Sequence, residues 1–446
     1  MNSSVLHLDT RQQLLQRLAD SRSLTDDLFR IVQAGAMYDR PIPERHRIVF
    51  YIGHLEAFDW NLIADQALGI GPAHKEFDHL FAFGIDPVNG DLPQDKPSDW
   101  PRLPEINNYI LRVRDKLDNI LNGDSQASTS DWKYPLELIL NVAIEHRLMH
   151  AETLAYMLHQ LTPDRKIVPP GYRSIASDPP RPPTVSRMID IPSGTVTLGI
   201  SRGEDSFGWD NEFEEHSVQV PGFAIASHKV TNGEFLRFVG DGGYDNPRLW
   251  SDADWKWIEE QKIAHPHYWF NRKGTWFYRG MFEEVELPLD WPVYVSHSEA
   301  AAYARFAGNS LPTEAQFHRA AFGTLEGAER PLPWGTEPAG KSRGNFDFQR
   351  WDPVAVGSYP SGRSAFGLED ALGNGWEWTS TLFAPLPGFD PFPFYRGYSA
   401  NFFDDTHYVV KGASPRTASC MMRRSFRNWF QPHYPYVYAS FRCVSN

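Results

Sequence analysis

The chain has 446 residues, and 43 Lys and Arg stand against 56 Asp and Glu, which gives a formal net charge of −13. This acidic balance argues against nucleic acid or an anionic membrane as the main partner. Hydrophobic residues make up 41% of the chain, so we expect two or three globular domains. No stretch approaches the roughly 18 consecutive apolar residues of a membrane helix. Because two cysteines, Cys420 and Cys443, cannot form a disulfide framework, we expect a reduced, cytoplasmic protein.

The first part of the chain, residues 1–165, has the hydrophobic period of helices. The first helix is predicted after the capping signal Asp9-Thr10, where Leu14, Leu15 and Leu18 recur at helical spacing. Further amphipathic segments are predicted at residues 43–68, 106–121 and 135–161. Four such segments indicate a four-helix bundle. The stretch 69–104, rich in Pro, Gly and Asp, is interpreted as a long loop that either lines a site or is inert.

The second part of the chain has a different pattern. Residues 166–190 contain three Pro-Pro pairs and are predicted to be an extended linker. Residues 191–446 show short strands, many turns and brief helices, which are predicted at 231–239, 296–307 and 313–321. No Gly-rich phosphate loop is present, so an irregular α+β fold is favoured over a Rossmann unit or a sandwich. The overall fold class is therefore α+β.

Three histidines in the helical part are candidate metal ligands. His146 and His150 are four residues apart, so their imidazoles lie on one helix face and can reach one ion. Arg147 stands where the zinc-protease motif needs a glutamate. His54 lies in a predicted helix whose face is otherwise apolar, and an antiparallel neighbour could bring it opposite the pair. On ligand chemistry alone, three imidazoles suit Zn(II) and Fe(II) equally, and a set of purely structural histidines also remains open. The carboxylates that could orient the histidines are Glu56, Glu145 and Glu152.

These histidines resemble the ligand set of the DinB-like iron domain of ergothioneine-type sulfoxide synthases. His54, His146, His150 and the trailing Glu152 match that motif in order and spacing. The second part resembles the partner domain of those enzymes, which has the C-type-lectin-like architecture of formylglycine-generating enzymes. The matching strings are residues 207–212 (FGWDNE), 230–235 (VTNGEF), 311–315 (LPTEA), 333–335 (PWG), 373–378 (GNGWEW) and 427–429 (RNW).

The resemblance implies a mononuclear non-haem Fe(II) enzyme that uses O₂. Such enzymes join a chalcogen donor to C2 of the imidazole of hercynine. The Arg-Asn-Trp string of the family implies that Asn428 and Trp429 bind hercynine, where an indole face suits the trimethylammonium group. Sulfoxide synthases of the mycobacterial type also use a tyrosine as a proton donor, and Tyr395 and Tyr398 are the candidates here. Formylglycine-generating enzymes use cysteines for their chemistry, and that activity is disfavoured here because Cys420 and Cys443 stand alone.

The chain departs from the sulfoxide-synthase pattern where the donor binds. No arginine occurs between Arg47 and Arg102, although the family anchors γ-glutamylcysteine with arginines in that loop. Phe430 and Tyr434 replace an aspartate and an arginine of the family, and Met149 replaces a glutamine. The predicted donor pocket is neutral and aromatic, and its members are Asn89, Phe430, Gln431, His433, Tyr434 and Tyr436.

Such a pocket favours a sugar over an acidic peptide, so we expect the selenoneine synthase branch of the family, in which the donor is a selenosugar. Within the same family, a sulfoxide synthase that joins hercynine to a thiol, either cysteine or γ-glutamylcysteine, is the main competing interpretation. A non-catalytic lectin-like binding protein and a zinc-dependent thiol transferase on the DinB-like bundle are also compatible with the sequence.

Overall fold

The computed structural model describes residues 10–82, 92–123, 132–177, 186–203 and 207–445. The chain divides into two compact units, residues 1–172 with 205–207, and residues 173–204 with 208–446. Asn89 of the predicted donor pocket and residues 178–185 of the predicted linker lie outside the described residues.

The N-terminal unit is helical. Its described helices are α1 (Arg11–Arg30), α2 (Ile48–Trp60), α3 (Lys75–Ala82), α4 (Leu103–Asn122) and α5 (Leu136–His159). α1 begins at the predicted cap, where Thr10 and Gln13 form a reciprocal capping box. α2 continues into a π-helical segment, Asn61–Ala67. A helical N-terminal unit is thereby confirmed, whereas its assignment to the DinB-like fold stays a prediction.

The helices differ in how much of their surface is covered. α4 buries one stripe, which consists of Ile106, Tyr109, Val113, Leu117 and Leu121, as the 3.6-residue period requires. α2 and α5 are instead buried on nearly every side, and the buried residues include charged side chains and histidines. Because an isolated buried charge is costly, these side chains must find partners inside the unit.

The prediction of a loop for residues 69–104 was wrong in one respect, because the stretch contains helix α3. Asp78 on α3 accepts hydrogen bonds from the backbone N–H of His74 (2.9 Å) and from the hydroxyl of Tyr109 (2.6 Å). Phe81 on α3 is fully buried. Two turns of helix between Pro- and Gly-rich flanks carry too few apolar positions to show a period, so the tertiary contacts rather than the sequence pattern define α3.

The C-terminal unit contains four small sheets among the described residues. Their strands are β1 (Met188–Ile191), β2 (Gly194–Leu198), β3 (His216–Val220), β4 (Phe223–Ala226), β5 (Trp269–Arg272), β6 (Thr275–Arg279), β7 (Glu284–Glu286), β8 (Gly375–Leu382), β9 (Tyr408–Ala413), β10 (Asn428–Phe430), β11 (Ala439–Ser440) and β12 (Val444–Ser445). The strand orders are β1-β4-β12, β10-β9-β8-β11, β2-β3 and β5-β6-β7. This is the irregular α+β arrangement that the sequence predicted.

Four helices accompany these sheets in the described part of the unit: α6 (Asn232–Gly240), α7 (Asp252–Gln261), α8 (His297–Phe306) and α9 (Glu314–Phe322). The predicted helices correspond to α6, α8 and α9. Each begins at a capping box. The side chain of the cap residue (Thr231, Ser296 or Thr313) accepts a hydrogen bond from the backbone N–H three residues ahead, and the side chain of that later residue accepts one from the backbone N–H of the cap residue. α7 was not predicted from the sequence. Only Ile258 of α7 is buried, so the segment lacks an apolar period.

The sheet that carries β10 is fixed by a buried cluster of charges around Glu377, which lies on β8. Glu377 accepts two hydrogen bonds from Arg442, at 2.5 and 2.8 Å, and lies 3.1 Å from the Lys229 ammonium. All three side chains are inaccessible to solvent. β8 is thereby held in place, β9 pairs with β8, and β10 pairs with β9 in the register Asn428↔Val410.

Replacing Gly53 by alanine is expected to destabilise the helical unit. A Cβ at Gly53 would lie 2.5 Å from ring atoms of Phe81, which the packed core cannot accommodate without moving α3. We expect a loss of about 1–3 kcal/mol in the free energy of unfolding, measured by urea denaturation. Gly240→Ala is the matched control, because no atom lies within 4 Å of its added Cβ. An unchanged stability for Gly53→Ala would contradict this packing.

Candidate active site

Three buried histidines converge in the helical unit. The Nε2 atom of His150 lies 3.3 Å from Nε2 of His54 and 3.1 Å from Nε2 of His146. One ligand atom from each of the three residues lies within 4.8 Å of the others. The side chains come from α2 and α5, and all three residues are buried. The structure therefore brings together the three histidines that the sequence singled out.

The register of α2 against α5 is set by Arg147, which follows His146 directly. Its guanidinium group donates to the carboxylate of Glu56 (3.0 Å), the carboxylate of Asp59 (2.5 Å) and the carbonyl of Leu55 (3.0 Å) on α2. The Arg147, Glu56 and Asp59 side chains are at most 1% exposed. Because a buried guanidinium fork needs carboxylate partners in fixed directions, these contacts fix α2 relative to α5.

A second arginine extends this buried network to α1 and α4. Arg114 on α4 donates two hydrogen bonds of 2.8 Å to Asp26 on α1 and two, of 2.7 and 3.1 Å, to Glu56. These arginines hold the pKa of Glu56 at about 2, against the opposing effect of burial. The prediction that Glu56 orients a histidine was wrong, since its carboxylate binds two arginines instead. Glu145 and Glu152 are buried on α5, and their proposed orienting role stays a prediction.

His54 is oriented by the helix that the sequence did not reveal. Its Nδ1 atom donates to the backbone carbonyl of Phe81 at the end of α3, over 2.7 Å. A neutral imidazole carries one ring proton, so this contact leaves the His54 Nε2 atom with a lone pair that can bind a cation. Burial lowers the pKa of His54 to about 4, and burial together with neighbouring positive charge lowers the pKa values of His146 and His150 well below the usual range. All three imidazoles are therefore neutral at pH 7, the form that binds a metal ion.

Aromatic rings enclose the three histidines. The Phe58 ring stacks on His146 with a centroid separation of 3.4 Å and an interplanar angle of 10°. The Phe50 ring stacks on His54 at 4.8 Å. Such rings restrict rotation of the imidazoles and lower the local polarity, which strengthens electrostatic interactions at the centre.

The arrangement fits a metal ion better than a hydrogen-bonded cluster. The Nε2 atom of His54 can only accept, and a single proton on Nε2 of His150 can bond only one of its two neighbours. A cation among the three atoms would accept all three lone pairs at once. Three neutral nitrogen ligands are typical of sites for Zn(II) or Fe(II) that keep coordination positions open for other groups.

The residues predicted to bind hercynine lie on β10 in the C-terminal unit. Asn428 and Trp429 belong to this strand, and the preceding Arg427 anchors it. Arg427 donates to the carboxylate of Glu314 at the start of α9, over 3.0 and 3.2 Å, and to the carbonyl of Ala384 over 3.1 Å. Both charged side chains are at most 5% exposed. The arginine of the Arg-Asn-Trp string is therefore a structural anchor that fixes the two residues after it.

Trp429 lies in a group of aromatic rings. It stacks on Phe383 with a centroid separation of 4.0 Å and an interplanar angle of 8°, and Tyr398 meets it edge-on at 5.5 Å. Tyr395 packs against Tyr398, 5.6 Å away. Tyr398 is thus the predicted tyrosine that contacts Trp429 directly, while Tyr395 lies one ring further out.

Phe430 and Tyr434, two residues of the predicted donor pocket, lie side by side. Their rings are parallel within 4°, with centroids 5.9 Å apart, and Tyr436 meets Tyr434 edge-on at 5.1 Å. All three side chains are partly exposed. The described residues thus present an aromatic surface where the family has an acid and a base.

The arginines that precede the predicted donor loop are already paired. Arg47 donates to the Asp95 carboxylate over 2.8 Å and to the Asp95 carbonyl over 2.7 Å, and Arg40 also forms an ion pair with Asp95. The Trp100 indole donates a further hydrogen bond of 2.7 Å to this carboxylate. Both guanidinium groups share the single Asp95 carboxylate, so the group of Arg40, Arg47 and Asp95 keeps one net positive charge.

Comparison with known proteins identifies the domain family of the C-terminal unit. Residues 174–446 match the family profile of the sulfatase-modifying factor enzyme 1-like domain. The predicted formylglycine-generating-enzyme-like domain is thereby confirmed. None of the helices in the described part of the chain combines the length and the apolar character that a membrane span requires.

Three curated relatives extend the assignment. The hercynine oxygenase of Mycolicibacterium smegmatis is 37% identical over 297 residues, which is 65% of this chain and 68% of that protein. The hercynine oxygenase of Mycobacterium tuberculosis is 40% identical over 248 residues, 55% and 57% of the two chains. Ergothioneine biosynthesis protein 1 of Neurospora crassa is 28% identical over an alignment of 500 positions, which covers 92% of this chain and 55% of that protein. The chain belongs to the family of ergothioneine-type sulfoxide synthases that includes the hercynine oxygenases, and the prediction of an oxidoreductase is confirmed at the level of that family.

Replacing Arg147 by methionine is expected to destabilise the helical unit strongly. The change removes the guanidinium group that bonds the buried Asp59 carboxylate and one of the two that bond the buried Glu56 carboxylate. Breaking a buried ion pair in this way costs about 3–5 kcal/mol. Urea denaturation of the metal-free protein measures it. Arg102→Gln is the matched control, because the Arg102–Glu105 pair is exposed and its loss changes stability by less than about 1 kcal/mol. Equal stabilities of the two variants would show that the buried network does not hold the helices.

Proposed function

We propose that the chain is a mononuclear non-haem Fe(II) oxygenase that uses O₂ to join a chalcogen donor to C2 of the hercynine imidazole. One observation carries this proposal. Three neutral, buried imidazoles converge on one point in a chain that belongs to the hercynine oxygenase family. A non-catalytic lectin-like protein would not need such a cluster, since burying three polar imidazoles away from water costs free energy.

In this proposal His54, His146 and His150 hold the iron. The bound metal supplies open positions for O₂ and the donor and lowers the pKa of the donor's thiol or selenol. The protein fixes the ligand nitrogens through the hydrogen bond from His54 to Phe81 and through the Arg147 network between α2 and α5. We favour Fe(II) over Zn(II) because of the family, since the three imidazoles suit both ions.

Asn428 and Trp429 are proposed to bind hercynine. The Asn428 amide can donate to a carboxylate, and the Trp429 indole face can attract a quaternary ammonium group. The Asn428 carbonyl oxygen accepts the backbone N–H of Trp429 over 2.9 Å, which leaves the amide nitrogen as the group that donates to a ligand. We propose Tyr398 rather than Tyr395 as the proton donor, because Tyr398 contacts Trp429 directly.

Two donor classes remain, and they are supported by different observations. The names of the relatives refer to hercynine and ergothioneine, which favours a thiol such as cysteine or γ-glutamylcysteine. The parallel, uncharged rings of Phe430 and Tyr434 favour a neutral donor such as a selenosugar. We propose the thiol as the donor that the family supports, and the selenosugar as the second candidate.

The proposed reaction is tested by aerobic incubation of the iron-loaded protein with hercynine and one donor at a time. We expect a C–S product from cysteine or γ-glutamylcysteine, or a C–Se product from a 1-selenosugar, detected by mass spectrometry. A control without O₂ should give no product. Product from the selenosugar alone would replace the thiol as donor, and no product from any donor would overturn the enzymatic proposal.

Replacing His150 by alanine is expected to abolish iron binding. The variant removes the Nε2 atom that lies 3.3 Å from Nε2 of His54 and 3.1 Å from Nε2 of His146, and two imidazoles bind a divalent ion far more weakly than three. Iron content after gel filtration, together with turnover, measures the effect. His228→Ala is a matched control, because this buried histidine of the C-terminal unit lies in a different unit from the cluster. Full iron content in His150→Ala would exclude the proposed centre.

A further inference from the structure

The segment that follows β10, residues 431–436, is held in place by contacts with neighbouring elements. It carries Tyr434 and Tyr436 and continues directly from Phe430. It has no regular secondary structure of its own, and within it the Tyr434 N–H donates to the Gln431 carbonyl over 3.2 Å. The positions of its aromatic rings must therefore be set largely by neighbouring elements.

The first neighbour is α7, the helix that sequence patterns did not predict. Nε2 of His433 donates to the Asp254 carboxylate over 2.8 Å. The His433 ring also stacks on Trp257, one turn further along α7, with centroids 4.4 Å apart and planes within 3°. His433 is thus held in two ways, by a charge-assisted hydrogen bond at its edge and by an aromatic ring on its face.

The second neighbour is the start of α8. The hydroxyl of Ser298 donates to Asp254 over 2.5 Å, and the backbone N–H of Ser298 donates to the Pro432 carbonyl over 3.2 Å. Burial tends to raise the pKa of Asp254, but the hydrogen bonds from His433, Ser251 and Ser298 hold it well below its usual range. Asp254 is therefore ionised at neutral pH and accepts all three bonds together.

The far end of the segment is fixed independently. The hydroxyl of Tyr268 donates to the Tyr436 carbonyl, and His267 meets the Tyr436 ring edge-on at 4.9 Å. The segment is thus fastened on both sides of Tyr434. A segment that is held at both ends loses little further conformational freedom when a ligand binds. Its aromatic rings therefore form a surface that is already arranged for the ligand.

We infer that Asp254, His433 and Trp257 are positioning residues that fix residues 431–436 and so determine how the aromatic surface of Phe430 and Tyr434 meets the chalcogen donor. The inference rests on the proposed function, in which this surface binds the donor. None of the three residues needs to touch the reacting atoms. Disturbing them should weaken donor binding and leave hercynine binding, which depends on Asn428 and Trp429, unchanged.

Two substitutions of His433 separate its two contacts. His433→Gln keeps an N–H that can reach Asp254, whereas His433→Phe keeps a ring on Trp257 and removes the hydrogen bond. In the iron-loaded protein we expect His433→Phe to raise the KM for the active donor by roughly tenfold, since a hydrogen bond to a charged group is lost. His433→Gln should recover most of that loss, and the KM for hercynine should stay within about twofold in both variants. Arg272→Gln is the control, because its ion pair with Glu284 is exposed.

A second measurement does not depend on turnover. Hydrogen exchange at the backbone amides of residues 433, 434 and 436 should be faster in His433→Phe than in the wild type and unchanged in Arg272→Gln. Unchanged exchange in His433→Phe would overturn the positioning role, as would an equal rise in the KM values for donor and hercynine. If the wild type forms no product with any donor, the proposed function is overturned, and the exchange experiment alone decides the positioning role.

Discussion

The buried ion-pair network around Arg147 is the constraint on which the candidate metal centre depends. His146 and His150 can reach one ion because of their spacing on α5, but His54 comes from α2 and meets them only if the two helices keep one register. Arg147 fixes that register through Glu56 and Asp59 on α2. A pair of apolar faces would allow small slides between helices, whereas a desolvated guanidinium group with two carboxylates does not, because each lost contact leaves a buried charge unpaired.

The C-terminal unit uses the same arrangement at a different place. Arg427 directly precedes Asn428 and Trp429, as Arg147 directly follows His146, and it forms a buried pair with Glu314. In each unit a buried arginine that acts as an anchor is adjacent in the chain to a residue that we propose to bind a ligand. A buried arginine next to a candidate site residue therefore fixes the backbone position of that residue, and a reaction centre requires such fixed positions.

Much of this organisation could be predicted from the sequence. Spacing identified His146 and His150, and an imidazole in an apolar helix identified His54. Three of the four helices in the described part of the C-terminal unit were also predicted. Other features could not be predicted, because they depend on contacts between distant residues. α3 has too few apolar positions to show a period, so the Phe81 carbonyl that orients His54 was missed. Arg147 looked only like a departure from a zinc motif, and Asp254 on α7 gave no signal until it was placed beside His433.

We propose that His54, His146 and His150 together bind one iron ion. X-ray absorption spectroscopy at the iron edge of the Fe(II)-loaded protein tests it most directly, because multiple scattering from imidazole rings reports the number of histidine ligands. We expect one iron per chain with three imidazole ligands in the wild type. Iron bound without imidazole ligands, or with the same imidazole count after His54→Ala, would contradict it.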